Sequence, residues 1–344
     1  NNMFSDATNF NQPLNAWDTS NVTSMNNMFS DATNFNQPLN AWDTSKVTEM
    51  RLMFKNSNYN EPLRQEWTVL PYIDLREMFS NTPYRLSYSE TENGNTDIDE
   101  AGTPNTNHFT VLPFPPNPEI DSEQLRVMIN EFMENSYISN LRYGVPNTWD
   151  ISKVTNMYRL FYKINFNEPI GSWDTSNVTT MESMFMHSYF NQDIGYWNTS
   201  KVTNMVDMFA DTKVFNQNIN TKEVSVNGNT YNAWDTSNVT SMRNMFMLNK
   251  LFNQPIDYWN TSNVRSVDNM FNQASSFDQS INTKEVSVNG NTYNAWDTSN
   301  VTNISYMFNG ATSFNQPLNT WNTSNVTNIS YMFNGATSFN QPLN

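Results

Sequence analysis

Aspartates that directly follow a tryptophan are the residues of this chain whose type and spacing come closest to a chemical site. They are Asp18, Asp43, Asp150, Asp174, Asp235 and Asp297. A regular column of carboxylates would suit calcium, which takes oxygen ligands. However, the same position is Asn at 198, 260 and 322, and a metal site needs the charge that Asn lacks. A side chain that caps a turn accepts Asn or Asp equally, so the capping interpretation is favoured and no metal site is predicted.

A second group of carboxylates lies in the acidic, turn-rich stretch from Thr91 to Asn107. Its residues of interest are Gly94, Asp97, Asp99, Glu100 and Gly102. Their spacing fits no complete calcium-binding loop, so a solvated loop is favoured over a metal site.

The chain contains few residues suited to other kinds of chemistry. The chain has no Cys and only 2 His, which excludes disulfides and thiolate chemistry and disfavours His-based metal sites. The net charge of -15 has the wrong sign for gripping a phosphate backbone. We find no nucleophile, base and orienter set and no phosphate-cradling glycine loop. The sequence therefore predicts a protein that is not an enzyme, needs no cofactor and binds no nucleic acid.

Internal repetition organises almost all the large apolar residues. Successive tryptophans are mostly 24 or 25 residues apart, with two steps of 37 and one of 82. The ladder is Trp17, Trp42, Trp67, Trp149, Trp173, Trp197, Trp234, Trp259, Trp296 and Trp321. A Phe stands twelve residues after each Trp, usually preceded by Met, as at Met28 and Phe29. Because these columns share one phase, we expect them to form a core rather than an exposed platform for sugars.

Each repeat can be interpreted as one coil of a solenoid. Apolar residues at i, i+3, i+6 and i+7 in Val22 to Phe29 favour a short helix, and Pro38 to Trp42 favours a short strand. One strand and one helix in about 25 residues is the leucine-rich-repeat plan. An Asn after the second aromatic resembles the asparagine ladder of leucine-rich repeats and is expected to satisfy backbone groups at a buried turn. These asparagines are Asn36, Asn60, Asn167, Asn191, Asn216, Asn253 and Asn315.

The repeated string resembles a known family. Asn-Val-Thr-x-Met-x-x-Met-Phe-x-x-Ala-x-x-Phe-Asn-Gln-Pro-Leu-x-x-Trp-Asp-Thr-Ser matches almost verbatim at Asn21 to Ser45 and at Asn300 to Ser324. It is similar to the BspA-like leucine-rich-repeat surface proteins, in the branch found as repeats of mycoplasma surface lipoproteins. The resemblance covers residues 1 to 79 and 147 to 344, and departs after Trp67, where Thr68-Val69-Leu70-Pro71-Tyr72 replaces the usual turn. It implies a right-handed α/β solenoid at the cell surface, used for adhesion or environmental contact.

Insertions divide the chain into three predicted parts. Residues 1–79 and 147–344 form repeat solenoid, and residues 80–146 are a large insertion with an acidic loop and an amphipathic helix. That helix is predicted from Asp121 to Met133, with Leu125, Met128, Ile129 and Phe132 on its apolar face, and is expected to pack on the solenoid flank.

Two smaller insertions, residues 220–232 and 282–294, carry the same sequence. Alternating valines, an Asn-Gly pair and then an adjacent Thr and Tyr, as at Thr230 and Tyr231, predict a type I′ hairpin in each. The turn residues are Asn227 and Gly228 in the first copy, and Asn289 and Gly290 in the second. Because the copies are two repeats apart, both hairpins should lie on the same side. They are candidates either for a binding ridge or for a simple sheet extension, and the sequence favours neither.

The function expected from this sequence is a non-enzymatic extracellular or cell-surface scaffold for adhesion or protein contact. No polar capping unit is visible where the sequence begins or stops, and uncapped repeats expose strand edges and core. The alternative is therefore a structural polymer, such as a filament, sheath or virion fibre, built by end-to-end stacking. No apolar run approaches the roughly 20 residues that span a bilayer.

Overall fold

The structure is a computed structural model that describes residues 1–63, 66–71, 73–88, 98, 101–104, 108–111 and 119–343. It forms two compact units. The first contains Asn1–Asn117 with Glu134–Gly144, and the second contains Pro118–Met133 with Val145–Asn344. Within the described ranges, none of the helices has the length and apolar character that a membrane crossing requires.

Regular elements are short and lie mostly outside the repeats. The strands are β1 (Thr68–Val69), β2 (Thr110–Val111), β3 (Lys222–Val226), β4 (Asn229–Ala233), β5 (Lys284–Val288) and β6 (Asn291–Ala295). The helices are α1 (Pro83–Tyr88), α2 (Ser122–Glu134), α3 (Ser136–Tyr143) and a 3₁₀ turn at Pro146–Thr148. Strands β1 and β2 pair in parallel, whereas β3 with β4 and β5 with β6 are antiparallel.

The short helix expected in each repeat is a run of turns instead. In the repeat that contains Met25, the N–H of Met28 donates to the carbonyl of Met25 at 3.2 Å. Asn27 and Asp31 have φ values of 52° and 60°, which an α-helix does not contain. The N–H of Phe29 donates to the carbonyl of Met53 in the next repeat, at 2.8 Å. A helix fails to form because every second N–H bonds to the neighbouring repeat rather than within its own.

The strand expected from Pro38 to Trp42 is also absent from those residues. Single parallel bridges join successive repeats just before the Met of the Met-x-x-Met-Phe string. In the first unit they link Ser24, Glu49 and Asp74. In the second they link Asn156, Thr180, Asn204, Ser241, Ser266, Asn303 and Asn328 in that order. Equivalent residues of successive repeats are therefore neighbours within each unit.

The aromatic columns form the core, as predicted. Trp234 and Phe246 are both 0% exposed. The ring of Phe246 stacks on Phe209 and on Phe271, with centroids 5.6 Å apart in both cases. Most buried indoles also donate a hydrogen bond to a backbone carbonyl. Nε1–H of Trp234, for example, donates to the carbonyl of Ile194 at 2.9 Å. The aromatic columns are less covered in the outermost repeats, where Trp17 is 41% exposed.

The asparagine column satisfies backbone groups, as predicted, but the groups belong to the following repeat and are only partly buried. The N–H of Asn253 donates to Oδ1 of Asn216, and the N–H of Asn216 donates to Oδ1 of Asn191, each at 2.9 Å. The column continues through Asp278, whose carboxylate accepts the N–H of Asn315 at 2.9 Å. The column needs an acceptor oxygen, and Asn and Asp both supply one.

Helix α2 forms with the predicted apolar face, because Leu125, Met128, Ile129 and Phe132 are all buried. Asp121 caps it, with Oδ1 accepting the N–H groups of Glu123 and Gln124 at 2.9 and 2.8 Å. The caps and spacing seen in the sequence therefore predicted this helix correctly.

The position of α2 is at the open edge of the first repeat in the second unit. Oγ of Ser122 accepts the N–H groups of Thr155 and Asn156, at 3.2 and 3.0 Å. In later repeats the equivalent threonine N–H bonds to the preceding repeat, as Thr203 does to Thr179 at 2.9 Å. Nη2 of Arg126 likewise donates to the carbonyl of Tyr158. Side chains of α2 thus replace the hydrogen bonds of a preceding repeat, so the helix caps this edge.

Removing the Ser122 hydroxyl should loosen that edge. We expect Ser122→Ala to lower the free energy of unfolding by about 1 kcal/mol, the usual contribution of a hydrogen bond. The amide hydrogens of Thr155 and Asn156 should exchange faster with solvent, which hydrogen exchange would measure. The control is Asn130→Ala on the exposed face of the same helix. Equal exchange in both variants would contradict the capping role.

Candidate interaction surface

The aspartate column caps turns rather than forming a metal centre in the described repeats. Oδ1 of Asp18 accepts the N–H of Ser20 at 3.0 Å, and the same contact recurs at Asn198 with Ser200 at 3.1 Å. The matching pairs at the other aspartates are Asp43 with Ser45, Asp150 with Ser152, Asp174 with Ser176, Asp235 with Ser237, and Asp297 with Ser299. The capping interpretation is confirmed.

Electrostatics agree with this role. The hydrogen bonds from Ser20 lower the pKa of the Asp18 carboxyl, and those from Ser45 and Ser152 lower the pKa of Asp43 and Asp150. Among the residues whose placement is described, no group of three or more His, Asp or Glu side chains is arranged to hold a metal ion.

The acidic stretch contributes one described position of interest. Gly94, Asp97, Asp99 and Glu100 lie outside the described residues, as does the whole segment from Leu112 to Pro118. Gly102 has φ +87°, and its carbonyl accepts the N–H of Phe79 at 2.8 Å. A Cβ at Gly102 would lie 2.4 Å from the backbone nitrogen of Ser80, so only glycine fits there. Its role is structural.

The two inserted hairpins form as predicted, and they are the strongest candidate for an interaction surface. In the first, β3 and β4 pair in the register that places Val224 opposite Tyr231. Its turn residues Asn227 and Gly228 have φ values of 52° and 80°, as a type I′ turn requires. In the second, Asn289 and Gly290 have φ values of 50° and 73°. All four turn residues are exposed at the tips, and their role in interaction stays a prediction.

Each hairpin is anchored on the repeat that precedes it. In the first, Oη of Tyr231 donates to the carbonyl of Tyr196 at 2.6 Å. The Nζ of Lys222 also lies 4.5 Å from the centre of the Tyr196 ring. Such an ammonium and an aromatic face attract each other, by about 0.5–1 kcal/mol at an exposed site.

The second hairpin repeats these contacts. Oη of Tyr293 donates to the carbonyl of Tyr258 at 2.5 Å, and Nζ of Lys284 lies 4.6 Å from the Tyr258 ring. Lys284 also pairs with Asp257 at 2.5 Å. Because the anchors are equivalent, both hairpins lie on the same side of the second unit, as expected from their spacing.

The anchoring tyrosines escaped the sequence interpretation, although a signal for them exists. A tyrosine immediately precedes the ladder tryptophan only at Tyr196 and Tyr258. These are the two repeats that come directly before an inserted hairpin. Because Tyr stands before Trp only in the repeats that precede an insertion, this coincidence could have located the contact between each tyrosine and its hairpin.

Burial changes the acidity of the anchoring phenols. It raises the pKa of Tyr293 to about 12, and the nearby carboxylate of Asp235 adds to this effect. Burial also raises the pKa of Tyr231, with a smaller contribution from Asp174. Both phenols therefore stay protonated at neutral pH and can donate their hydrogen bonds.

The tips of the two hairpins have different surroundings. A pocket of about 400 Å³ lies between the first tip and the segment from Gly171 to Ser176. The second tip instead lies against the base of the first hairpin, where Asn289 and Glu223 line a common pocket. Val288 of the second hairpin is 7% exposed, whereas its equivalent Val226 is only partly buried. The side chain of Val226 at the first tip is thus less covered than that of Val288 at the second.

A family model described as "Mycoplasma protein of unknown function, DUF285" matches residues 1–90, 126–233, 221–292 and 283–344. These matches cover most of the chain and include both hairpins. No curated protein and no solved structure matches the chain.

Proposed function

Because the chain belongs to the Mycoplasma repeat family DUF285, we propose that it is a non-enzymatic scaffold at the cell surface that mediates adhesion or protein contact. The observation that carries this proposal is the pair of equivalent hairpins, which are fixed at their anchors and exposed along their outer faces. Glu223, Ser225 and Thr230 of the first hairpin are exposed, as are Glu285, Ser287 and Thr292 of the second. A rigid, repeated, polar face is suited to contact with a partner.

The proposal includes the fold of the repeats. We propose right-handed coils of the leucine-rich-repeat type, as in the BspA-like surface proteins that the string resembles. Parallel bridges between equivalent residues support this, as do the stacked Phe rings within each unit. Repeat proteins of this kind present extended binding surfaces.

The absence of an enzymatic role is supported by what the polar columns do. The aspartates cap turns, the asparagines satisfy the next repeat, and in most repeats the threonine that follows the capping Asp or Asn donates to a neighbouring carbonyl. Oγ1 of Thr199, for example, donates to the carbonyl of Asp235 at 2.8 Å. Side chains used in this way hold repeats together and are not available for chemistry.

Two measurements test this function. Fluorescently labelled whole chain should bind saturably to animal cells or to a matrix-coated surface. Mild protease treatment of intact producing cells should remove the native protein as readily as treatment of lysed cells does. Protection in intact cells, or binding that never saturates, would overturn the proposal.

The alternative is a structural polymer built by stacking of repeats. It is favoured by the apolar surface of the repeat at residues 325–343, where Ile329 and Tyr331 are each 60% exposed. Light scattering on the whole chain should then show self-association that Ile329→Lys abolishes. A monomer at all concentrations would remove this alternative and leave the adhesion proposal standing.

A further inference from the structure

We propose that the pocket beneath the tip of the first hairpin binds a neutral saccharide of one or two sugar units. This inference rests on the proposed surface function and names the chemical class of one ligand. The pocket, of about 400 Å³, is formed by three segments of the second unit, namely 171–176, 196–198 and 226–231. Small-ligand sites commonly occupy 300–1,000 Å³.

The pocket exists because only every second repeat in this region carries an inserted hairpin. The repeat that contains Trp173 carries no hairpin, so nothing fills the space between its surface and the first tip. Two repeats later, the corresponding surface carries the base of the first hairpin, and the second tip rests against it. The two hairpin tips therefore line pockets of similar volume, about 400 Å³ each, whose walls come from different segments.

Free hydrogen-bonding groups line the pocket. Asp174 uses Oδ1 to cap its turn, and its other carboxylate oxygen makes no hydrogen bond with the described residues. The Oδ1 of Asn198 accepts from Ser200, while its Nδ2 has no protein partner in the described part of the chain. Asn227 and Asn229 present exposed amides at the tip. Amides both donate and accept, which matches the dual capacity of sugar hydroxyls.

Charge and apolar surface narrow the ligand class further. The lining contains the Asp174 carboxylate and no Lys or Arg, and the Lys222 ammonium over the Tyr196 ring can at most balance that carboxylate, so no excess positive charge favours an anionic ligand such as a phosphorylated or sulfated sugar. Tyr196 is 47% exposed and Tyr231 is partly exposed, and such rings combine an apolar surface with a polar tip. The C–H face of a sugar ring can lie on that apolar surface.

A peptide ligand is less well matched. Peptides are usually held by apolar anchor side chains in pockets, but Trp173 is only 3% exposed and offers almost no surface here. A strand added to the edge of β4 would bind through backbone groups and would not depend on Asn198. That difference lets one substitution separate the two ligand classes.

The test uses Asn198→Asp in the whole chain. Aspartate occupies the same turn position in six other repeats, so the cap is retained while the Nδ2 donor is lost. The probe is an immobilised array of neutral oligosaccharides ending in galactose, glucose, mannose or N-acetylglucosamine, beside sialylated and sulfated versions. We expect the unmodified chain to bind at least one neutral probe and no anionic probe. Asn198→Asp should weaken that binding about tenfold or more.

The matched control is Asn260→Asp, at the equivalent position beneath the second hairpin. It should leave binding unchanged, because Asn260 is not among the residues that line the pocket at the second tip. No binding to any neutral probe, or equal binding by Asn198→Asp and the unmodified chain, would overturn the saccharide site. Adhesion to cells, measured in parallel, tests the proposed function separately from the saccharide site. Cell binding by the unmodified chain, together with no binding of that chain to any neutral probe on the array, would reject this inference and keep the proposed function.

Discussion

Replacing Phe246 with alanine is expected to lower the free energy of unfolding of the second unit by about 3–5 kcal/mol. The side chain is 0% exposed and stacks on Phe209 and Phe271 in the neighbouring repeats. Its centroid is also 4.0 Å from that of Phe252 in its own repeat. Alanine removes all these contacts at once and leaves a cavity that the repeats on either side cannot both fill. Urea-induced unfolding, followed by tryptophan fluorescence, would measure the loss.

The control for this change is Tyr189→Ala. Tyr189 lies in the same unit but is 52% exposed. A surface substitution of this kind usually changes stability by no more than about 0.5 kcal/mol. Similar losses for Phe246→Ala and Tyr189→Ala would contradict the assignment of the Phe column to the core.

Replacing Asn216 with leucine is expected to cost about 1–3 kcal/mol, because the N–H of Asn253 would lose its acceptor. The same change removes the contact from Nε2 of Gln254 to Oδ1 of Asn216, at 3.2 Å. Thermal unfolding would report the loss of stability. Hydrogen exchange at the Asn253 amide would localise it.

Asn216→Asp provides a matched control, since Asp278 already serves in the same column and accepts the N–H of Asn315. This variant should retain most of the stability because it keeps an acceptor oxygen. If Asn216→Asp and Asn216→Leu are equally destabilised, the asparagine column does not act through its acceptor oxygen.

The core and the hairpins could be predicted from the sequence because both depend on local or strictly periodic signals. The shared phase of Trp234 and Phe246 placed both in the core, and the Asn227-Gly228 pair specified its turn through the left-handed conformation that each residue tolerates. The turn caps followed from the chemistry of Asp and Asn, which needs no knowledge of the fold.

The turns within each repeat could not be predicted, because their hydrogen bonds go to another repeat. The first left-handed position holds residues as different as Asn27, Leu52, Arg159 and Tyr306, and glycine marks the second in only two described repeats, at Gly310 and Gly335. The spacing of the apolar residues matched that of a helix, although alternate backbone N–H groups donate to carbonyls of the neighbouring repeat. A periodic pattern identifies which side chains are buried but not which backbone conformation buries them.

The role of α2 and the hairpin pocket were also beyond local reasoning. The sequence predicted the helix and its apolar face, but the contact of Ser122 with Thr155 joins residues 33 positions apart. The open pocket depends on which repeats carry hairpins and on how each hairpin is anchored. Tyr196 shows this, since its significance depends on Tyr231 in an insertion that follows it.

The most direct test of the adhesion proposal compares two pairs of lysine substitutions in the cell-binding measurement. Ser225→Lys with Ser287→Lys places bulky charges on the exposed faces of both hairpins, whereas Ser313→Lys with Ser338→Lys adds the same charge at exposed positions elsewhere. We expect the hairpin pair to weaken saturable binding to cells about tenfold or more, and the second pair to leave it unchanged. Equal binding by both pairs and by the unmodified chain would contradict the claim that the hairpin side is the contact surface.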